Sequence, residues 1–277
     1  MTSHSYSRRS ALRAVAGAFV LPAVAACTST EEVQVALPVA ETFREGYGPI
    51  MDNGYALPGV PSRYLADPNF RKIVYYSGDV KPGDIEIDPY AKFLYWIEED
   101  GTAIRYPIAV GREGKSMRGT TVIKRKVEWP GWTPTANMLR REPEIYGPFA
   151  KGIPGGLRSP LGARALYLYV GSRDTHYRIH GTNDLASIGN SGSAGCIRMF
   201  NQDVIDLFDK VPLGTKVVVR TLEDSIRLEG EDYTYRGVEL EPTRVDPDLI
   251  YSDEAIAADR PLAELLAEEL NKSDTNI

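Results

Sequence analysis

Alternating apolar and polar positions divide the middle of the chain into short segments that are typical of β-strands. Segment 84–88, DIEID, alternates as a half-buried strand does. Two apolar segments, 92–97 and 103–110, flank EEDGT, and its Asp-Gly pair predicts a hairpin turn. Further strands are predicted at 70–76, 122–127, 165–170, 175–180 and 216–220. The pattern predicts a mainly β domain.

One helix is predicted inside this region, where the apolar period changes from two to between three and four. Asn201 is expected to cap it, and Pro212 to stop it after Lys210. Its apolar stripe comprises Val204, Ile205, Phe208 and Val211.

A long segment rich in Pro and Gly, 129–162, interrupts the strand pattern. Such a segment inside a compact domain is usually a lid or a binding loop. Its aromatic residues Trp129, Trp132 and Tyr146 are candidates to cover a ligand, and packing in the core is an equally good interpretation.

The two ends of the chain differ from this middle region. Residues 1–26 combine a basic start with a short apolar stretch, as a secretory signal does, and the small residues before Cys27 resemble the lipidation site of a bacterial lipoprotein. Residues 27–82 have weak periodicity and are interpreted as a tether and an irregular lead-in. Residues 221–277 form an acidic extension, with a predicted hairpin at 226–240 and a short amphipathic helix at 261–270.

Composition narrows the function classes. The chain has 277 residues, of which 43% are hydrophobic and 25% charged, as in ordinary globular proteins. The net charge is −6 and no run of Lys and Arg lies in the body of the chain, so nucleic acid is not an expected partner. Two cysteines, Cys27 and Cys196, do not make a disulfide framework.

Cys196 is the candidate nucleophile. A thiol nucleophile needs a base, and outside the predicted signal the chain offers only His176 and His180. On a strand these two residues share a face with Arg178, and His180 lies at the strand end because Gly181 follows. For an arbitrary Cys and His the plain interpretation, that both are packing residues, remains open.

The residues before Cys196 favour the chemical interpretation. Gly192 and Gly195 permit unusual backbone angles, so consecutive N–H groups from Ala194 to Cys196 can converge on an oxyanion. Two strand histidines and one loop cysteine have no recognised zinc-ligand spacing. No metal or cofactor is expected.

The sequence IHGTN, then SIG, then SAGCIRMFNQD closely resembles the catalytic motif of the L,D-transpeptidase family with a YkuD-type domain. The blocks GDIEIDPYAKFLYWI, RYPIAVGREG, WPGWTPTANMLRREPE and PGGLRSPLGARALYLY resemble the same family, so the likeness covers 83–220. The implied fold is a mainly β sandwich of mixed sheets with a helix after the catalytic cysteine loop. The implied reaction is acyl transfer on peptidoglycan tetrapeptide stems through a thioester.

The resemblance also implies roles for individual residues. Cys196 is the nucleophile, His180 its base, the Gly181 carbonyl the group that orients the imidazole, and the Gly195 N–H an oxyanion donor. Substrate-side positions are Ser193, Ala194, Arg198, Asn201 and Trp132. Arg198 and Asn201 are expected to bind substrate or to hold the loop.

Ala194 is the one departure from the motif, because the family's common form has His there. That second His is not the base in the family's mechanism, so Ala194 is interpreted as a changed substrate contact. The acyl acceptor stays open: a second stem amine, an amine of an envelope protein, a free D-amino acid or water. The competing class is a non-catalytic lipoprotein that binds peptidoglycan. In either case the expected location is the periplasm of a Gram-negative bacterium, with a membrane anchor at Cys27.

Overall fold

The computed structural model describes residues 42–111, 117–192, 196–241 and 244–261. The strands are β1 Ile50–Asp52, β2 Tyr55–Leu57, β3 Lys72–Tyr75, β4 Ile85–Asp88, β5 Phe93–Ile97, β6 Thr102–Pro107, β7 Ala109–Val110, β8 Gly119–Glu128, β9 Arg164–Val170, β10 Arg173–His180, β11 Ser191–Gly192, β12 Ile197–Arg198, β13 Lys216–Val219 and β14 Glu239–Leu240. The α-helices are α1 Ala136–Arg141, α2 Pro143–Tyr146, α3 Asn201–Lys210, α4 Leu222–Glu229, α5 Glu231–Thr234, α6 Asp248–Tyr251 and α7 Asp253–Ala258.

Hydrogen bonds join twelve of these strands into one mixed sheet, in the order β14-β11-β7-β12-β10-β9-β8-β13-β4-β5-β6-β3. The predicted hairpin around Asp100 and Gly101 is present, because β5 pairs antiparallel with β6. Parallel pairs occur at β10 with β12 and at β4 with β13. The prediction of a mainly β fold with a helix after the cysteine loop is confirmed.

Strand β4 is buried on both faces, although its alternation of apolar and polar residues predicts one solvent-exposed face. Ile85 and Ile87 lie in the main hydrophobic core. On the other face, the Arg220 guanidinium lies 2.6 Å from Glu86 and 3.2 Å from Asp88. Acidic side chains are tolerated there because a buried cation pairs with them, which a local pattern does not reveal.

Helix α3 ends at Lys210 as predicted and has a related apolar face, with Val204, Leu207 and Phe208 buried. The prediction for its N-terminus is wrong: Phe200 is the N-cap residue and no side chain caps the helix. Asn201 is the first helical residue, and its side chain is engaged outside the helix.

The predicted hairpin at 226–240 is wrong, because this segment holds α4, α5 and only the short strand β14. The Thr221 side chain caps α4 by accepting from Asp224 N–H at 3.1 Å. Gly230, with φ of 81°, ends that helix and does not form a strand turn. Glu229 then fixes the helix to the sheet by accepting from the Tyr95 hydroxyl at 2.6 Å.

The predicted strand at 70–76 is present as β3, which pairs with β6 at the edge of the sheet. The rest of the lead-in that the structure describes is more regular than its sequence predicts. Tyr47 is buried against Phe200, and its hydroxyl donates to Asp203 at 3.0 Å. Arg164 binds both carboxylate oxygens of Asp52 at 2.7 Å, so the β1–β2 hairpin is fixed to β9.

Some predictions fall outside the described residues. They are the signal at 1–26, the lipidation site at Cys27 and the helix at 261–270, of which only Pro261 is described. Within the described ranges, no helix has the length and apolar character needed to cross a membrane.

Candidate active site

Cys196 and His180 line one cavity of about 860 Å³. Arg198 and Trp132, both predicted on the substrate side, line the same cavity. The sheet therefore brings together residues that are far apart in sequence.

The pairing of two short parallel segments sets this arrangement. Strand β10 pairs with β12 so that Ile179 faces Ile197 and His180 faces Arg198. Both isoleucines are fully buried in the core. Because side chains alternate along a strand, His180 and Arg198 then point to the opposite face, which is the cavity side. Cys196, half-buried, directly precedes β12.

The tautomer of His180 follows from its hydrogen bond. Nδ1 lies 2.5 Å from the carbonyl oxygen of Gly181. A carbonyl only accepts, so Nδ1 carries the proton and Nε2 of the neutral ring is left with its lone pair. The ring is thus prepared to take a proton at Nε2.

Burial keeps this imidazole neutral. The side chain is 3% exposed, and desolvation is the main reason that the pKa of His180 falls from 6.5 to about 3. The charges of Arg198 and Arg178 lower this pKa further, while the Gly181 carbonyl opposes the shift. His180 is therefore an unprotonated base at neutral pH, and any imidazolium formed there is a strong acid.

The arginines around the cavity are held by aspartates, and two of these arginines act on the charge of His180. Arg178 forms two hydrogen bonds with Asp174, at 2.7 and 2.8 Å. Arg198 contacts Asp184 at 3.2 Å. These pairs fix the positive charge close to His180.

Asn201 holds the loop after the histidine. Its Oδ1 accepts from Ala163 N–H at 2.9 Å and its Nδ2 donates to the Thr182 carbonyl at 3.1 Å. The packing is so close that a Cβ on Gly181 would fall 2.1 Å from Oδ1. Asn201 does not line the cavity, and its contacts favour the second of its two predicted roles, positioning of the loop, which stays a prediction.

His176 does not continue the strand alternation. The pairing of β10 with β9 shifts register between Asp174 and Arg178, and His176 adopts φ of 62° within this bulge. It is exposed at the rim of the cavity. Across the ranges that the structure describes, no three His, Cys, Asp or Glu side chains are grouped as metal ligands.

The segment 129–162 forms one wall of the cavity. Trp132 and Tyr146 line it, with ring centroids 6.3 Å apart. Trp129 instead packs on Tyr55 and donates from Nε1 to Asp52 at 2.7 Å. This segment also contains α1 and α2, which its Pro and Gly content did not predict.

Sequence reasoning missed the residues that the C-terminal extension contributes to the cavity, and it missed Arg158. The extension supplies Leu240, Glu241, Val245 and Ile250. These four residues lie in β14, in the segment after it and in α6, so no single strand or helix period connects them. Ser193, Ala194 and Gly195 lie outside the described residues, so their assigned roles stay predictions.

Comparison with known proteins connects this geometry to a family. The family model for the YkuD L,D-transpeptidase catalytic domain matches residues 82–219. The protein named YkuD of Bacillus subtilis (strain 168) is 39% identical over 122 residues, which cover 43% of this chain and 69% of that protein. The chain belongs to the L,D-transpeptidase family.

Other relatives that match the chain are longer than the Bacillus subtilis protein. The probable L,D-transpeptidase YbiS of Escherichia coli (strain K12) is 38% identical over 128 residues, covering 46% of this chain and 40% of that protein. The chain thus spans about two-fifths of the length of the first curated relatives that it matches. A solved structure described as a probable carnitine operon oxidoreductase caia from Brucella melitensis is 50% identical. It covers 57% of this chain and 98% of that one, with a TM-score of 0.40.

Proposed function

We propose that the chain is a cysteine L,D-transpeptidase that acts on peptidoglycan tetrapeptide stems. The observation that carries the proposal is the cavity shared by Cys196 and a neutral His180 whose Nδ1–H is fixed by the Gly181 carbonyl. A thiol beside a base with an available lone pair is the arrangement that nucleophilic acyl transfer requires.

The first half-reaction begins with proton transfer from Cys196 Sγ to His180 Nε2. The thiolate attacks the carbonyl that joins the L-configured centre of diaminopimelate to the terminal D-Ala. Backbone N–H groups of Gly195 and Cys196 stabilise the oxyanion in this proposal. When the intermediate collapses, the imidazolium returns the proton to the departing D-Ala amine and a thioester remains on Cys196.

The second half-reaction uses the same base. An acceptor amine attacks the thioester, His180 takes the proton that this amine loses, and the proton then returns to the departing Cys196 sulfur. His180 is neutral before each step, so Nε2 can accept a proton, and the low pKa of the ring means that the added proton passes readily to the leaving group. A stem amine gives a 3→3 cross-link, and an amine of an envelope protein gives attachment. Transfer to a D-amino acid or to water gives exchange or L,D-carboxypeptidase activity.

A carbapenem is a suitable probe for the nucleophile, because ring opening leaves a stable acyl adduct on a reactive cysteine. Protein lacking residues 1–26 is expected to gain one adduct mass, which Cys196→Ala abolishes and His180→Ala slows strongly. If the folded wild-type protein forms no adduct, the chain is better described as a non-catalytic peptidoglycan-binding protein.

Digestion products identify the acceptor. Peptidoglycan incubated with the protein and cut with a muramidase is expected to show 3→3 cross-linked stems or stems joined to a protein. Shortened stems alone would assign carboxypeptidase activity.

We also propose export to the periplasm and lipid anchoring at Cys27, on the strength of the motif in residues 1–27. Detergent partitioning of the wild type against Cys27→Ala tests this. Equal partitioning of the two proteins would contradict the anchor.

A further inference from the structure

The C-terminal extension lies along the cavity as a strap, which we define as residues 239–241 and 244–261. Its first contact is the parallel pairing of β14 with β11, which sets Leu240 beside Gly192. Its second is the Tyr251 hydroxyl, which donates to the Gly152 carbonyl at 2.9 Å. Asp259 makes the third contact, and it is the one that bears on ligand binding.

Asp259 holds the backbone and the side chain of Arg158 together. Its Oδ2 accepts from Arg158 Nε at 2.8 Å and its Oδ1 accepts from the Arg158 N–H at 3.1 Å. The carboxylate is nearly fully buried, with a side chain 3% exposed. Gly156 is packed so close that a Cβ there would lie 2.5 Å from Oδ2. The guanidinium is therefore held by its inner nitrogen in a fixed orientation.

The outer edge of this guanidinium is different. Arg158 lines the cavity, and its Nη1 is buried without a hydrogen-bond partner among the described residues. Of the described side chains that line the cavity, no other has a buried polar atom in this condition. The other two cavity arginines, Arg178 and Arg198, each pair with an aspartate as Arg158 does, but neither has a buried nitrogen without a partner.

A buried cationic N–H group without an acceptor is costly, and an oxygen brought by a ligand removes that cost. The planar fork of an arginine matches the two oxygens of a carboxylate. The cavity is also lined by apolar groups such as Leu161 and Ile250, which strengthen a charge-assisted hydrogen bond by excluding water.

We propose that Arg158, oriented by Asp259 of the strap, binds the free carboxylate of diaminopimelate or of the terminal D-Ala in the donor stem peptide. This inference rests on the proposed function and adds a specificity-determining residue to it. The strap orients the guanidinium of Arg158, and it acts on the ligand only through that residue.

A double-substitution cycle, in which Arg158 is changed in the protein and a carboxylate is changed in the substrate, tests the contact. Release of D-Ala is measured for a tetrapeptide stem, for a stem with an amidated diaminopimelate carboxylate, and for a stem that ends in D-alaninamide. Arg158→Gln is expected to lower kcat/KM for the unmodified stem by about ten- to a hundredfold, the range of one charge-assisted hydrogen bond. The same substitution should have little further effect on the stem whose bound carboxylate is amidated. Arg158→Lys, which keeps the charge and loses the fork, should recover part of the loss.

Arg140→Gln is the matched control, because Arg140 is exposed on α1 and does not line the cavity. The unfolding midpoint of every variant reports a merely structural effect. If Arg158→Gln slows all three stems by the same factor, or slows none of them, the contact does not exist and the inference is overturned.

Binding to Cys196→Ala protein separates this inference from the proposed function. Calorimetry with the same three stems, with and without Arg158→Gln, measures the contact in the absence of turnover. Loss of affinity confined to stems with the free carboxylate supports the contact even if the wild-type protein releases no D-Ala. Affinities that Arg158→Gln leaves unchanged overturn it even if turnover is normal.

Discussion

His180 donates from Nδ1 to the carbonyl oxygen of Gly181, the next residue in the chain, across 2.5 Å. The bond leaves Nε2 of a buried, neutral ring with its lone pair. Because the folded protein resists protonation of this ring, the pKa of His180 links the candidate site to the stability of the whole protein.

The first prediction concerns this linkage. The pKa of His180 is lowered to about 3 from 6.5, so its contribution to folding is complete above pH 6.5 and is lost as the pH falls towards 3. Between pH 7 and pH 5 the free energy of unfolding falls by about 2 kcal/mol, because the imidazole is protonated in the unfolded chain and stays neutral in the folded chain. Denaturant unfolding of the wild type and His180→Gln at both pH values measures this. A difference between the two proteins that does not change with pH would contradict the neutral, buried imidazole.

The second prediction concerns Asp203, where burial raises the pKa of the carboxyl to about 7 despite the nearby Arg71. Here the folded state holds the proton, so stability is lost as the pH rises from the unfolded value near 4 towards 7. Between pH 5 and pH 7 the loss is about 2 kcal/mol. It opposes the His180 contribution over the same range.

Asp203→Asn separates the two groups. Wild-type stability is expected to vary little from pH 5 to pH 7, whereas Asp203→Asn should become more stable and His180→Gln less stable over that range. Equal pH dependence in the two variants would show that one of these residues does not titrate as the structure indicates.

The third prediction concerns Asn201. Replacing it with Ala leaves a buried N–H at Ala163 and the carbonyl at Thr182 without their partners, at a cost of about 2–3 kcal/mol. Because these contacts hold the loop after His180, acylation of Cys196 should slow as well. Denaturant unfolding and the rate of carbapenem adduct formation measure the two effects. Wild-type stability with slow acylation would instead indicate direct contact with substrate.

The fourth prediction concerns Ala194, the position at which the motif differs from its common form. Ala194→His is expected to keep acylation of Cys196 and to change the preference among acyl acceptors, because His180, the proposed base, is retained. The ratio of cross-linked to hydrolysed stems measures this preference. A lost adduct would mean that the small side chain is needed for the nucleophile itself, and an unchanged ratio would make the position neutral.

The local pattern of apolar and polar residues was enough to predict much of the sheet. The strands around 92–97 and 103–107, the turn between them and the helix from Asn201 to Lys210 follow from period and turn chemistry, which depend on neighbouring residues. The local pattern did not predict the structure of 226–240, where Gly230 ends helix α4. Glu229, the last residue of this helix, accepts from the Tyr95 hydroxyl and pairs with Arg220, and the local pattern does not show these contacts. Period alone does not distinguish a short helix from a short strand when tertiary contacts choose between them.

The sequence by itself determined the family, because the motif around His180 and Cys196 and the further blocks across 83–220 resemble it together. Tertiary structure decided what surrounds that motif. The pairing of β10 with β12 gives His180 and Arg198 a common face, and burial sets the protonation state of the histidine. The same packing turns the acidic extension into a strap that orients Arg158. These features depend on contacts between residues that are remote in the chain and on the removal of water from those residues. Neither can be predicted from the local order of amino acids.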